Sequence, residues 1–139
     1  MNKSNETKVL ILGGSGFIGR YLTNALSKSG YHVRIPTRNR EHGKSHLIIL
    51  PNVEVIQTNI STTQNIDRLF QGIDIVINCV GILHENQKND FQKFHKTLVD
   101  RIVNSCNGQQ VTHFVHLSAL KASTKGPSAY LRSKAEGEN

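Results

Sequence analysis

The run Lys8-Val9-Leu10-Ile11-Leu12, followed at once by Gly13-Gly14-Ser15-Gly16-Phe17-Ile18-Gly19, constrains the fold of this chain more than any other stretch. Branched apolar residues in an unbroken row read as a strand, and two glycines then require a tight turn. Beyond them Ile18, Leu22, Ala25 and Leu26 recur at helical spacing until Gly30. The glycines satisfy both G-x-G-x-x-G, through Gly14, Gly16 and Gly19, and G-x-x-G-x-x-G, through Gly13, Gly16 and Gly19. The first makes the turn, the middle one lets backbone approach a pyrophosphate, and Gly19 permits close packing of helix on strand. The helix N-terminus adds unpaired N–H groups and the positive end of a dipole. Gly13, Gly14, Ser15, Gly16, Phe17, Ile18 and Gly19 thus form a candidate phosphate cradle.

The remaining chain repeats the alternation. His32 to Thr37 reads as a second strand, Val53, Val55 and Ile60 mark a third after the break at Pro51, and Thr62 to Phe70 reads as a short helix. Ile73 to Val80 is apolar apart from Asp74 and Asn78, as expected of a central strand covered on both sides. Phe91, Phe94, Leu98, Ile102 and Val103 give a helical stripe between about Asp90 and Cys106, Val111 to Leu117 a fifth strand, and Ser128 onward the start of a last helix. Such alternation specifies an α/β fold: a doubly wound parallel sheet with right-handed crossovers, the Rossmann architecture. At 139 residues, the chain is one domain with no internal boundary.

The net charge of +7 is concentrated early: residues 1–50 carry eight Lys or Arg against Glu6 and Glu41, whereas residues 51–139 carry nine against eight acids. A nucleotide unit selective for NAD places an acid about 20 residues past the glycine loop to bind the adenosine ribose. No acid occurs between Thr7 and Arg40 here, and Arg38 stands at the end of the second strand instead. A guanidinium there can pair with a 2′-phosphate and stack on adenine, so NADP(H) is favoured, with NAD(H) the second choice. The other reading leaves Arg34, Arg38 and Arg40 as solvated charges. Asn59, just past the third strand, either meets the adenine edge through its amide or is a turn residue.

Other classes find less support. The isoelectric point near 9.7 invites nucleic-acid binding, but no aromatic platform interleaves with the basic cluster, so nucleic acid is the weakest class considered. His42 with His46, and His113 with His116, lack a third ligand at metal spacing. Cys79 and Cys106 form no C-x-x-C and point to a reducing compartment. The longest apolar stretches, Val9 to Leu12 and Leu47 to Leu50, are too short to span a bilayer, and the first residues hold no signal-peptide core, so a cytoplasmic place is expected.

Four motifs in register resemble the short-chain dehydrogenase/reductase superfamily in its extended, epimerase/dehydratase-like branch. They are GGSGFIG, Asn78-Cys79-Val80-Gly81 at the end of the fourth strand, Ser118 after the fifth, and Tyr130-Leu131-Arg132-Ser133-Lys134 as Y-x-x-x-K. More narrowly, VINCVGIL, VHLSALKAS and SAYLRSKAEGE are similar to bacterial relatives of the nucleotide-binding accessory subunit of respiratory complex I. The resemblance implies a bound nicotinamide dinucleotide, with Gly81 at the cofactor, and hydride transfer between it and the carbonyl or alcohol of a small-molecule substrate. It makes Tyr130 the general acid/base, Lys134 the holder of the nicotinamide ribose whose charge favours the tyrosinate, and Ser118 the group that orients the carbonyl. Read without the resemblance, a Tyr and a Lys four apart are most often a solvated helix pair. The competing class is a non-catalytic accessory or assembly subunit, peripheral to the inner membrane on a respiratory complex. The resemblance also implies a sixth strand and a C-terminal substrate region past Asn139. On that expectation the chain is an N-terminal fragment, its last link from Ala135 to Asn139 has nothing to pack into, Tyr130 and Lys134 are frayed, and the fragment does not turn over.

Overall fold

The computed structural model describes residues 7–14, 16–38, 50–60, 66–80, 88, 90–118, 122, 124–126 and 128–138. Five strands, β1 (Lys8–Leu12), β2 (His32–Thr37), β3 (Val53–Gln57), β4 (Ile75–Asn78) and β5 (His113–His116), pair in parallel in the order β3-β2-β1-β4-β5. Val9 lies opposite Val33 on one side and Ile75 on the other, and β4 pairs onward with β5 through Ile75 and His113. Because a strand alternates its side chains, β1 feeds two cores. Leu10 and Leu12 pack with Phe70, Val76, Leu98 and Ile102 on one face, and Val9 and Ile11 pack with Val33 and Ile35 on the other. Full burial of each such side chain contributes roughly 1.5–3 kcal/mol, so β1 anchors the sheet. The chain winds from β1 toward β3, then crosses back to β4 and β5. That reversal opens a crevice at the C-terminal ends of β1 and β4, where a doubly wound sheet binds its ligand.

Helix α1 (Phe17–Lys28) covers one face of the sheet, and α2 (Leu98–Gly108) and α3 (Ala129–Glu138) lie on the other side. The helical stripe expected for α1 is only half right. Leu22 and Leu26 do meet the sheet, but Ile18 and Ala25 face solvent, and the buried line is Gly19, Thr23 and Ser27. Small residues at i, i+4 and i+8 let the helix lie low, and the two hydroxyls are satisfied locally. Thr23 Oγ1 donates to Gly19 O at 2.7 Å and Ser27 Oγ to Pro51 O at 2.5 Å.

Three other expectations shift. The third strand stops at Gln57, short of Ile60. The helix expected over Thr62–Phe70 is a 3-10 turn at Asp67–Phe70, residues 61–65 lying outside the described ones. The helical stripe around α2 is broken by a π-helical turn, Lys93–Thr97, between the α-turn Asp90–Gln92 and α2. A π turn inserts an extra residue and rotates the face that follows. Val103 consequently points outward, while His95, which the helical stripe leaves out, is buried with Leu98, Val99 and Ile102. Among the described residues no helix is long and apolar enough to cross a membrane.

Candidate functional site

The glycine loop is built tightly on three sides and left open on one. Gly13 has φ +79°, and a Cβ there would lie 2.9 Å from the Cys79 backbone carbon. A Cβ on Gly14 would press the Ile35 side chain at 2.9 Å, and one on Gly19 would overlap Gly13 O. At Gly16, by contrast, a Cβ would meet nothing closer among the described residues than Gly13 O at 3.4 Å. Gly16 N donates to Gly13 O at 3.1 Å, closing the turn, and α1 starts with neither a side-chain cap nor an acid in its first turn. No acid of the first turn competes for the dipole end, and the face of Gly16, uncrowded among the described residues, is the place a pyrophosphate needs. Phe17 is 86% exposed and Ile18 is exposed beside it, so neither side chain fills the space. Ser15 lies outside the described residues, as does Gly81.

Of the early arginines, Arg34 is structural. Its Nε pairs with Glu54 at 3.1 Å, and its Nη1 donates to the carbonyls of Leu69 and Gln71 at 2.9 and 3.0 Å, tying β2 to β3 and the 3-10 turn. Arg38 is exposed just past β2 and makes no ion pair among the described residues, while Arg40 lies outside them. Asn59 is half-buried past β3 and has a partner of its own.

Around the ends of β4 and β5 the second group of candidates converges. Cys79 N donates to Leu12 O at 2.8 Å and Leu117 N to Asn78 O at 2.9 Å, so the three strand ends are level. Lys134, only 3% exposed, reaches from α3 to donate its Nζ to Leu117 O at 2.9 Å, next door to Ser118. Burial lowers the Lys134 pKa from its ordinary value, with Glu138 and Cys79 pulling the other way. The Cys79 thiol is pushed up by burial, Lys134 opposing, and the Cys106 thiol rises to about 11 through burial alone, so neither is a ready thiolate. Ser118 Oγ is buried with no hydrogen-bond partner among the described residues, an unused donor at the crevice.

The expectation that the chain from Ala135 onward has nothing to pack into is overturned for its described residues, Ala135 to Glu138. Ala135 and Gly137 are buried, and a Cβ at Gly137 would collide with His95 O. Tyr130 is half-buried, its ring edge-on to those of His95 and Phe91 at centroid distances of 5.4 and 6.0 Å. The π turn and its flanking helix supply the surface that the sequence pattern hides.

His116, weighed above only as a metal ligand, belongs to this cluster. Asn78 Oδ1 accepts from Val80 N at 3.1 Å, which turns Asn78 Nδ2 toward His116 Nδ1, also at 3.1 Å. His116 Nδ1 is then the acceptor, and the proton of the neutral ring sits on Nε2, which is buried and unpartnered among the described residues. Burial lowers the His116 pKa, the Lys134 charge lowers it further, and Glu138 opposes. Among the described residues no three His, Cys, Asp or Glu side chains group for a metal.

A family model described as "NAD dependent epimerase/dehydratase family" matches residues 9–137. The chain is 32% identical over 131 residues to NADH dehydrogenase [ubiquinone] 1 alpha subcomplex subunit 9, mitochondrial, of Mus musculus, covering 92% of this chain and 35% of that protein. It is 28% identical to a ceramide reductase of Caulobacter vibrioides, covering 94% of this chain and 40% of the relative. A solved structure of a UDP-glucuronic acid 4-epimerase from Bacillus cereus in complex with NAD superposes with a TM-score of 0.77 at 24% identity, over 95% of this chain and half of that one. The chain thus spans little more than a third of the length of these curated relatives. With the glycine loop at the reversal of a parallel sheet and the family model matched across nearly every residue, this chain belongs to the NAD dependent epimerase/dehydratase family.

Proposed function

We propose that residues 1–139 form the NADP(H)-binding domain of a short-chain dehydrogenase/reductase-like oxidoreductase that reduces a carbonyl or oxidises an alcohol. The observation that carries this reading is the bond from buried Lys134 Nζ to Leu117 O, which holds Lys134 beside Ser118 at the end of β5. The open face of Gly16, the uncapped start of α1 and the idle Ser118 Oγ fit a dinucleotide lying across it. Gly13, Gly14, Gly16 and Gly19, with the amides of Phe17 and Ile18, hold the pyrophosphate, Arg38 the 2′-phosphate, and Lys134 the nicotinamide ribose. When bound, the nicotinamide supplies or takes up the hydride. Lys134 has three ammonium protons, so one can stay on Leu117 O while the others serve the ribose. Ser118 donates to the substrate carbonyl oxygen, and the Tyr130 phenol gives that oxygen its proton.

A second reading is favoured by the respiratory relative, whose name places it in an NADH dehydrogenase: nucleotide bound without turnover, in an accessory subunit peripheral to a membrane complex. Assaying NADPH-dependent carbonyl reduction by the full-length protein and its Tyr130→Phe variant decides between them. The oxidoreductase reading expects a loss of at least a hundredfold in kcat with NADPH affinity kept. NADPH binding with no turnover above background would favour the accessory role.

A further inference from the structure

His95 is 1% exposed, one of the most deeply buried side chains, and nothing in the chemistry above uses it. It sits in the π turn Lys93–Thr97, and such turns inside helices occur frequently at functional sites. Its Nδ1 lies 2.8 Å from Ser133 Oγ, and Ser133 Oγ lies 2.9 Å from Tyr130 O. A carbonyl only accepts, so the single Ser133 hydroxyl proton goes to Tyr130 O, and His95 must present Nδ1–H to the Ser133 oxygen. The imidazole also stacks on Phe91 at 5.4 Å and 16°, and stands at 80° to the Tyr130 ring. One side chain therefore grips the backbone of Tyr130 through a hydroxyl relay and its ring through an aromatic contact.

We propose that His95 is the positioning residue for Tyr130. Its Nδ1–H, passed on through Ser133, and its ring together hold the phenol in one rotamer facing the crevice. The proposal deepens the oxidoreductase reading and rests on Tyr130 being its general acid/base. A proton donor must be held within hydrogen-bond reach of its target, and α3 on its own would not hold a side chain so closely.

The test uses His95→Leu, which keeps volume but removes donor and ring, His95→Asn, which keeps an N–H near the Nδ1 place, and Ser133→Ala, which cuts the relay with minimal change in packing. Three quantities are read on the protein: NADPH Kd, kcat for carbonyl reduction, and the χ1 rotamer of Tyr130 from three-bond NMR couplings. NADPH Kd should stay within about twofold throughout, because the residues proposed to hold the cofactor, the glycine loop, Arg38 and Lys134, all keep their side chains. In His95→Leu and Ser133→Ala the Tyr130 couplings should become averaged and kcat should fall about tenfold or more, non-additively in the double variant. His95→Asn should recover a single rotamer and most of kcat. A single Tyr130 rotamer in both His95→Leu and Ser133→Ala would overturn the proposal, as would an Asn variant no better than Leu. Should His95→Leu not fold, Ser133→Ala decides. If the unmutated protein shows no turnover, the oxidoreductase reading fails, while the rotamer measurement still judges His95.

Discussion

Gly16 and Gly19 are three residues apart and fail differently when they gain a side chain. A Cβ on Gly19 has no room beneath it, since Gly13 O and the Gly14 Cα, 2.5 Å away, already occupy the space. Gly19→Ala should therefore weaken the fold by about 1–3 kcal/mol, seen as a lower urea midpoint with an unchanged slope. Gly16→Val should lower that midpoint less, through a poorer N-cap alone, and abolish dinucleotide binding, because a Cβ there meets only Gly13 O among the described residues. Retained affinity would mean that the phosphates are held elsewhere. His116 makes a prediction in pH. Its pKa lies below 6.5 in the folded chain because of burial and Lys134, so as pH falls through 6.5 the unfolded chain takes up a proton that the folded chain resists. Stability is thus lost from pH 6.5 downward, until the folded ring also protonates. His116→Gln should flatten that part of the profile of urea midpoint against pH, and an unchanged slope would show that the ring is not the group involved.

Helix α3 is held by what it presses against. Gly137 meets His95 O, Lys134 reaches Leu117 O, and Tyr130 lies on the rings of Phe91 and His95. Lys134→Met, similar in length but uncharged, should raise the His116 pKa measured by imidazole NMR, since Lys134 is the second cause of its depression. Burial, the larger cause, should still keep it below 6.5. No upward movement would mean that α3 does not sit over β5 in solution. The sequence shows why this part is hard to read. Strand β1 and the start of α1 are legible because period-2 and glycine patterns are local. The π turn at Lys93–Thr97 leaves no such mark, so the rule of 3.6 residues per turn chooses Val103 over His95 for the core. The same rule chooses Ile18 for α1, where close approach through Gly19, Thr23 and Ser27 decides the buried face. Y-x-x-x-K marks Tyr130 and Lys134 as candidates, but that Lys134 would be buried against Leu117 O follows only from tertiary packing.

On the scale of the whole chain, the strand order places β1 at the reversal, and the glycine loop, Ser118 and Lys134 come to the same end of the sheet. Arg38 follows β2 at that same end and is exposed there. The parallel, doubly wound sheet follows from the alternation along the sequence, its strand order comes from the structure, and the proposed preference for NADP(H) hangs on a single exposed guanidinium. The most direct measurement titrates the unmutated protein and Arg38→Ala with NADPH and with NADH at one fixed ionic strength, because the discriminating contact is a screened charge pair. The account predicts NADPH binding at least about tenfold tighter than NADH, with Arg38→Ala losing most of that preference while its NADH affinity barely changes. Equal affinities for the two cofactors in the unmutated protein, or a preference that survives Arg38→Ala, would contradict it.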